Sequence, residues 1–376
     1  MRRKVTGAML DKARGMRTLA EITTQAESWR GGIAAAKATS DDVIGDLRRA
    51  AREGVLLIGC GSTHYLAVSL APWMLAVLGV PTQALPSSEL ALGAHWTLAC
   101  GRRALVVALS RSGATSETLM AVERAHALGC QVAAVTCYPD SELAQAADAV
   151  IALPEGQEDS FAQTRSFAGM LVATQALAAR IADRAGLMAE LELLPGLARD
   201  AIYEADDLAQ SLAEERWKRV SYLGSGWLYG LAGEAMIKMK EMALATAEAF
   251  HAMEFRHGPM ALVDEDHLVV ALLSEGMGRY EEGVLADLCQ RGGQIVALSS
   301  QTPAYHEDYA AWLQVGADLS ELARPVLYLP FVQLLAYHRA MLAGQDPDRP
   351  RNVVMAIRLA GTAMETASSG DAQEGA

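Results

Sequence analysis

Two stretches carry residue types whose spacing could do chemistry. The first is Ser110-Arg111-Ser112-Gly113-Ala114-Thr115, which follows six apolar residues from Ala104 to Leu109. It offers three hydroxyls around one glycine, where a buried strand would hand over to a helix beginning near Thr115. Such a turn leaves backbone N–H groups unpaired at the positive end of a helix dipole. That setting favours an anion, above all a phosphate. Serine and threonine are also the preferred helix caps in any protein, so the stretch by itself supports a cradle and a plain cap equally.

The second stretch is Glu234-Ala-Met-Ile-Lys238-Met-Lys-Glu241. Spacings of four and three put Glu234, Lys238 and Glu241 on one helix face. A surface ion pair is one reading. The rest of the helix is apolar, however (Ala235, Met236, Ile237, Met239, Met242), and an unpaired buried charge is costly, so the charged stripe must face water or a site. His257 precedes Gly258-Pro259, which is read as ending its helix and leaving it in a loop. Beside Lys238 and Glu241 it becomes an acid/base candidate.

The elements that would position these residues alternate. Helical spacing runs over 9–36 and 41–53. Strands are expected at 55–62, 80–85, 104–109, 131–137 and 149–153, with helices at 65–78, 115–128, 141–147 and 164–185. Alternation of this kind means a parallel sheet with right-handed crossovers. The pattern then recurs. Val220-Ser-Tyr-Leu-Gly-Ser-Gly-Trp227 mirrors Val55-Leu-Leu-Ile-Gly-Cys-Gly-Ser62 at an offset of 165, and Gln294–Ser299 mirrors Gln131–Thr136 at 163. Two matches at nearly one offset indicate an internal duplication. An acidic helix over 190–215 reads as the linker, with strands at 267–274 and 326–330 and a last helix at 331–343. The fold class is therefore α/β, with two tandem doubly wound, flavodoxin-like parallel sheets. The division expected is an N-terminal helical segment (1–36), a first domain (37–188), a second (189–345) and a tail (346–376), its small, polar end from Glu365 reading as disordered.

Composition removes several classes. A net charge of −13 and no basic run beyond Arg2-Arg3-Lys4 argue against nucleic acid. The glycine turns fail the dinucleotide fingerprint, since Gly59-Cys-Gly61 lacks its third glycine and Gly224-Ser-Gly226 has Gly230 one place too far. No phosphate-binding Gly-Lys-Ser/Thr loop exists. The five cysteines are scattered and form no Cys-x-x-Cys pair, which suits reduced thiols of a cytoplasmic protein. The first 24 residues have no continuous apolar core of a signal peptide. The apolar region 65–80 contains Ser69 and Pro72 and reads as a buried helix rather than a membrane span.

In Gly59-Cys-Gly-Ser-Thr63, Ser110–Thr115, Ser160-Phe-Ala-Gln-Thr-Arg-Ser-Phe167, Lys238-Met-Lys-Glu241, Ala247-Glu-Ala-Phe250, Glu254-Phe-Arg-His-Gly-Pro259 and Asp348-Arg-Pro-Arg-Asn352, the chain resembles the sugar isomerase (SIS) family. The resemblance is to the duplicated isomerase part of glucosamine-6-phosphate synthase and its relatives without a glutaminase domain. It implies that Ser110, Arg111, Ser112 and Thr115 hold a sugar phosphate, with Thr63, Phe161 and Gln163 touching the sugar. It further implies that Glu241 moves a proton between C1 and C2, that Lys238 assists, and that His257 is the ring-opening acid/base, supplied across a homodimer interface. No cofactor and no metal are implied. Two positions depart from the pattern: Ala114 stands where the synthase has Glu, and Met355 where it has a Schiff-base Lys. The resulting expectation is a deaminating phosphosugar isomerase converting an aminosugar phosphate, such as glucosamine 6-phosphate, into fructose 6-phosphate and ammonia. Alternatives are a deglycase of phosphorylated fructosamine adducts and a non-catalytic phosphosugar-binding regulator.

Overall fold

The computed structural model describes residues 14–93 and 103–359. Three helices come first: α1 (Met16–Thr23), α2 (Gln25–Ala38) and α3 (Asp41–Ala51). The first half then alternates β1 (Val55–Gly59), α4 (Ser62–Leu78), β2 (Thr82–Pro86), α5 (Ser87–Leu92), β3 (Leu105–Leu109), α6 (Ser116–Ala127), β4 (Gln131–Thr136), α7 (Glu142–Ala146) and β5 (Ala149–Ala152), closing with α8 (Arg165–Ile181). After α9 (Ala185–Glu214), the second half runs β6 (Arg219–Gly224), α10 (Trp227–Ala243), β7 (Thr246–His251), β8 (His267–Leu272), α11 (Gly278–Cys289), β9 (Gln294–Ser299), β10 (Ala311–Gln314) and α12 (Leu329–Leu342).

Both halves are parallel five-stranded sheets of one topology: β2-β1-β3-β4-β5 and β7-β6-β8-β9-β10. Every residue of β1, β3 and β8 is buried, as continuous Val/Leu/Ile/Ala runs covered on both faces by helices require. The strand order reverses between β1 and β3, and again between β6 and β8, so a crevice opens beyond the carboxyl ends of those strands. Two helices bring the crevices together. Gly61 (φ 58°) and Gly226 (φ 55°) turn the chain from β1 into α4 and from β6 into α10. The helices cross so closely that a Cβ on Gly230 would lie 2.2 Å from the Ser69 nitrogen. Any larger residue would push α10 away from the first half.

The structure corrects several expectations. Helical spacing over 9–36 resolves into α1 and α2 with a break at Thr24; residues 9–13 lie outside the described residues. The segment 326–330 is no strand: Arg324–Tyr328 is a 3₁₀ turn leading into α12, with Pro325 and Pro330 at positions that need no N–H donor. The fifth strand is β10 instead. The acidic stretch 190–215 is helical to Glu214 and joins the two halves as read, but as part of α9 it also buries Leu191, Leu194 and Ala198 and packs on α12. His257 does not end a helix, because α10 stops at Ala243 and β7 and a 3₁₀ turn (Glu254–Arg256) intervene. Cys100 and the tail beyond 359 are outside the described residues. Among the described residues, no helix is long and apolar enough to cross a membrane.

Candidate active site

The loop after β3 is shaped by its own hydroxyls. Ser110 Oγ accepts from Gly113 N at 3.1 Å, and Ser112 Oγ accepts from Ala114 N at 3.2 Å. Each hydroxyl keeps its proton to offer outward. Gly113 sits at φ 62°, and a Cβ there would meet Ser141 Oγ at 2.1 Å; only glycine fits. The N–H groups of Ser112 and Thr115 have no backbone acceptor, and Thr115 is the N-cap of α6 without a side-chain cap bond. Donors therefore converge at a helix N-terminus.

Arg111 behaves differently from its three neighbours. Its guanidinium is buried and its terminal nitrogens are taken by the protein. Nη1 meets Glu158 Oε2 at 2.9 Å and the Ser160 carbonyl at 3.4 Å; Nη2 meets the carbonyls of Phe161 at 2.8 Å and Met355 at 3.4 Å. Only Nε lacks a partner. Its geometry is that of a strut joining the cradle to the 158–163 loop and the C-terminal segment. Glu158 is correspondingly saturated, accepting also from Thr164 N at 2.7 Å and from Ser166 N and Oγ at 3.0 and 2.6 Å.

From the other side come the charges of α10. Lys238 and Glu234 are fully buried, while Glu241 is partly exposed. Lys238 Nζ lies 2.7 Å from Glu241 Oε2 and 3.5 Å from Glu234 Oε1. Burial pushes the Glu234 carboxyl up to about 8, against the opposing pull of the Lys238 charge. Burial works against the Lys238 charge, but the flanking carboxyl groups outweigh it and hold the ammonium above its ordinary range. One cation thus clamps one side of Glu241 and leaves the rest of that carboxylate facing open space.

These groups share a cavity of about 260 Å³, lined by Thr63 and Ser110–Ser112 with Thr115, by Phe161 and Gln163, and by Lys238 and Glu241. Nine of the eleven residues singled out in the sequence therefore converge; Glu234, expected to face water or a site, is fully buried and does not line the cavity. Nor does His257: it is exposed, and its N–H bonds to the Glu254 carbonyl at 3.0 Å. Thr63 is present, yet its hydroxyl already bonds Cys60 N at 2.9 Å and the Cys60 carbonyl at 3.0 Å. Sequence reasoning missed Cys60, Ser62 and Glu117 as lining residues. It also missed the segment Asn352–Ile357, which closes one side and whose Ile357 carbonyl accepts from Ser116 N at 3.3 Å. The motif ending at Asn352 and the departure at Met355 were the signals there. Among the described residues, no cluster of His, Cys, Asp and Glu is placed to hold a metal ion.

A doubly wound pair of sheets with a hydroxyl-lined turn at the first switch point defines the class. The chain matches the SIS domain over residues 49–180 and 215–316, once in each half, and belongs to that family. Among its relatives is the glutamine–fructose-6-phosphate aminotransferase (isomerizing) of Pyrobaculum aerophilum, 33% identical over 91% of this chain and 57% of that protein. The Escherichia coli K12 protein of the same description is 28% identical over 82% of this chain and 52% of its own length. The chain thus spans about half the length of these relatives, and its homology is to their isomerase portion. Among solved structures, a glucosamine-6-phosphate deaminase from Thermotoga maritima is 25% identical with a TM-score of 0.75, covering 91% of this chain and all of that one (100%). A tagatose-6-phosphate ketose/aldose isomerase from Escherichia coli shares the fold, with a TM-score of 0.76 at 24% identity over 92% of this chain and 98% of that one.

Proposed function

We propose that this protein is a deaminating phosphosugar isomerase that converts an aminosugar phosphate such as glucosamine 6-phosphate into fructose 6-phosphate and ammonia. The observation that carries the reading is the Lys238–Glu241 pair at 2.7 Å, held on a buried helix against a cavity whose far wall is an anion cradle. In this scheme the phosphate binds the hydroxyls and N–H groups of Ser110–Thr115 and orients the opened sugar. Glu241 takes the proton from C2 of the 2-amino aldehyde and returns it to C1, while the aldehyde oxygen gains a proton and the amine loses one, leaving a hydroxyl at C1 and an imine at C2. Water adds to that imine and ammonia leaves, so one water is consumed for each ammonia released. Lys238 steadies the charge on Glu241 and on the sugar oxygens. Ring opening needs a further acid, and His257 would supply it from a second copy of the chain. Met355 lacks an amine, so no Schiff base forms at that position.

The alternative, a deglycase of phosphorylated fructosamine adducts, requires room for an amino acid on the sugar. A cavity of about 260 Å³ lies just below the roughly 300–1,000 Å³ usual for ligand sites. That size favours the compact aminosugar. The test is to mix the purified protein with glucosamine 6-phosphate and follow ammonia and fructose 6-phosphate together. Equal release of both is expected; no turnover in a protein that still binds fructose 6-phosphate would sink this choice of substrate.

A further inference from the structure

Phe161 and Gln163 reach the cavity on a loop of the first SIS match that Arg111 holds from within and that residues outside both matches hold as well. Immediately before them, Asp159 N and Ser160 N donate at 2.6 and 3.1 Å to Glu21 Oε1, and the Ser160 hydroxyl bonds Glu21 Oε2. Glu21 lies on α1, before the first SIS match begins at residue 49, and is 4% exposed. On the other side, Phe161 N donates to the Asp348 carbonyl at 3.0 Å, beyond the second match. The Asp348 carboxylate in turn binds Thr18 N and Thr18 Oγ1, both at 2.8 Å, and Arg17 N at 3.3 Å. The helix that presents Glu21 is thus fastened by the residue that also holds Phe161.

We propose that Glu21 is a positioning residue for the substrate-contacting loop, and that α1 and Asp348 act with it as a brace closing the active site from outside the SIS cores. A helix packed there only to cover apolar surface has no need of a buried carboxylate. Burial, and after it the nearby Glu158, push the Glu21 carboxyl up, and the loop's three donors offset the rise only in part. A carboxylate kept under those conditions is kept for the donors it receives. Ser160 Oγ also lies 3.1 Å from the Ala162 carbonyl, which competes with Glu21 for the one hydroxyl proton.

The inference rests on reading Phe161 and Gln163 as sugar contacts, and its test separates that reading from the brace itself. Full-length wild type, Glu21→Ala, Glu21→Gln and Ser160→Ala are titrated calorimetrically with fructose 6-phosphate and with inorganic phosphate, and assayed with glucosamine 6-phosphate. Glu21→Ala should weaken fructose 6-phosphate binding and raise KM about tenfold or more, with kcat changed less than about threefold and phosphate affinity less than about twofold. Glu21→Gln, which keeps an acceptor for both N–H groups, should restore most of the affinity. Ser160→Ala should fall between the two, and it carries the test if Glu21→Ala does not fold. A lowered melting temperature with unchanged KM and unchanged sugar-phosphate affinity would overturn the proposal. Equal loss of phosphate and sugar-phosphate binding would overturn it too. A wild type that binds fructose 6-phosphate without turning over glucosamine 6-phosphate would refute the substrate and leave the binding comparison to decide the brace.

Discussion

After β3 the chain runs Ser110-Arg-Ser-Gly-Ala-Thr115; at the same register after β8 it runs Leu273-Ser-Glu-Gly-Met-Gly278. Strand pairing sets the correspondence, since Val55 faces Leu105 in the first sheet and Val220 faces Leu268 in the second. The glycine survives as Gly276, but Glu275 stands in place of Ser112 and Glu281 in place of Thr118. Glu275 pairs with Arg324 at 2.7 Å. Glu281 is buried and accepts from Ser274 N and Oγ at 2.8 and 3.1 Å. The second cradle already contains its anion. Along the helices the asymmetry reverses: Glu234 and Lys238 of α10 correspond to Ser69 and Trp73 of α4, and Trp73 merely ties its indole N–H to the Leu322 carbonyl at 2.8 Å. One half carries the hydroxyl loop and the other the buried charged helix, to which the proposed function assigns phosphate binding and acid/base work. The glycine-mediated crossing of α4 and α10 joins them into a single cavity.

Removing the charge that only the second half provides should have the largest effect. Glu241→Gln is expected to lower kcat about 10²- to 10⁴-fold, the range of general acid–base catalysis, while fructose 6-phosphate binding by calorimetry stays within about twofold. Retained turnover would move the base elsewhere. Next comes writing the second half's residue into the first. Ser112→Glu puts a carboxylate where a phosphate would sit, and KM for glucosamine 6-phosphate should rise about 10²-fold with a smaller change in kcat. Competition by inorganic phosphate should vanish in that variant. If it persists, the phosphate is bound somewhere else.

Much of this asymmetry was legible in the sequence, because strands buried on both faces announce themselves as apolar runs and the charged spacing on α10 survives any packing. The offset between Val55 and Val220 marked the repeated sheet, and the hydroxyl loop lies at the switch point of the first one, lining the cavity. What the sequence hid was long-range partnership. Arg111 looks like a phosphate ligand by type, yet Glu158, 47 residues on, claims it. Glu21 looks like a surface acid on a short helix until the fold brings Ser160 to it. The run Val326–Pro330 has strand composition, but Pro325 and Pro330 suit a helix start. His257 sits in a loop as expected, and one chain alone does not bring it to the cavity.

A smaller effect tests how the α10 charges are kept. The folded state raises the Glu234 carboxyl from its ordinary 4.5 to about 8, chiefly by burial. The folded protein therefore holds this proton more tightly than the unfolded chain. Stability from that source is complete below about pH 4.5 and is lost as pH rises through about 8. Glu234→Gln lacks this linkage. Across that window the wild-type melting temperature should fall by several degrees more than the variant's, measured in parallel scans. Parallel profiles would mean that Glu234 is ionised in the fold throughout.

The smallest effect is expected at the filled cradle. Burial raises the Glu281 carboxyl, and Ser225 and Ser274 beside it oppose the rise. In Glu281→Gln the amide oxygen still accepts from Ser274. The other side-chain position, beside Ser225, becomes an amide N–H that the Ser225 hydroxyl can accept from. Stability should stay within about 1 kcal/mol of wild type, and KM and kcat within about twofold, because nothing in the reacting cavity has changed. Calorimetric stoichiometry gives the sharper reading. Fructose 6-phosphate should still bind at a single site per chain, since the glutamine fills the second cradle as the glutamate did and Glu275 still repels a phosphate. A second binding event in this variant would show that charge at one residue, rather than occupied space, separates the two halves.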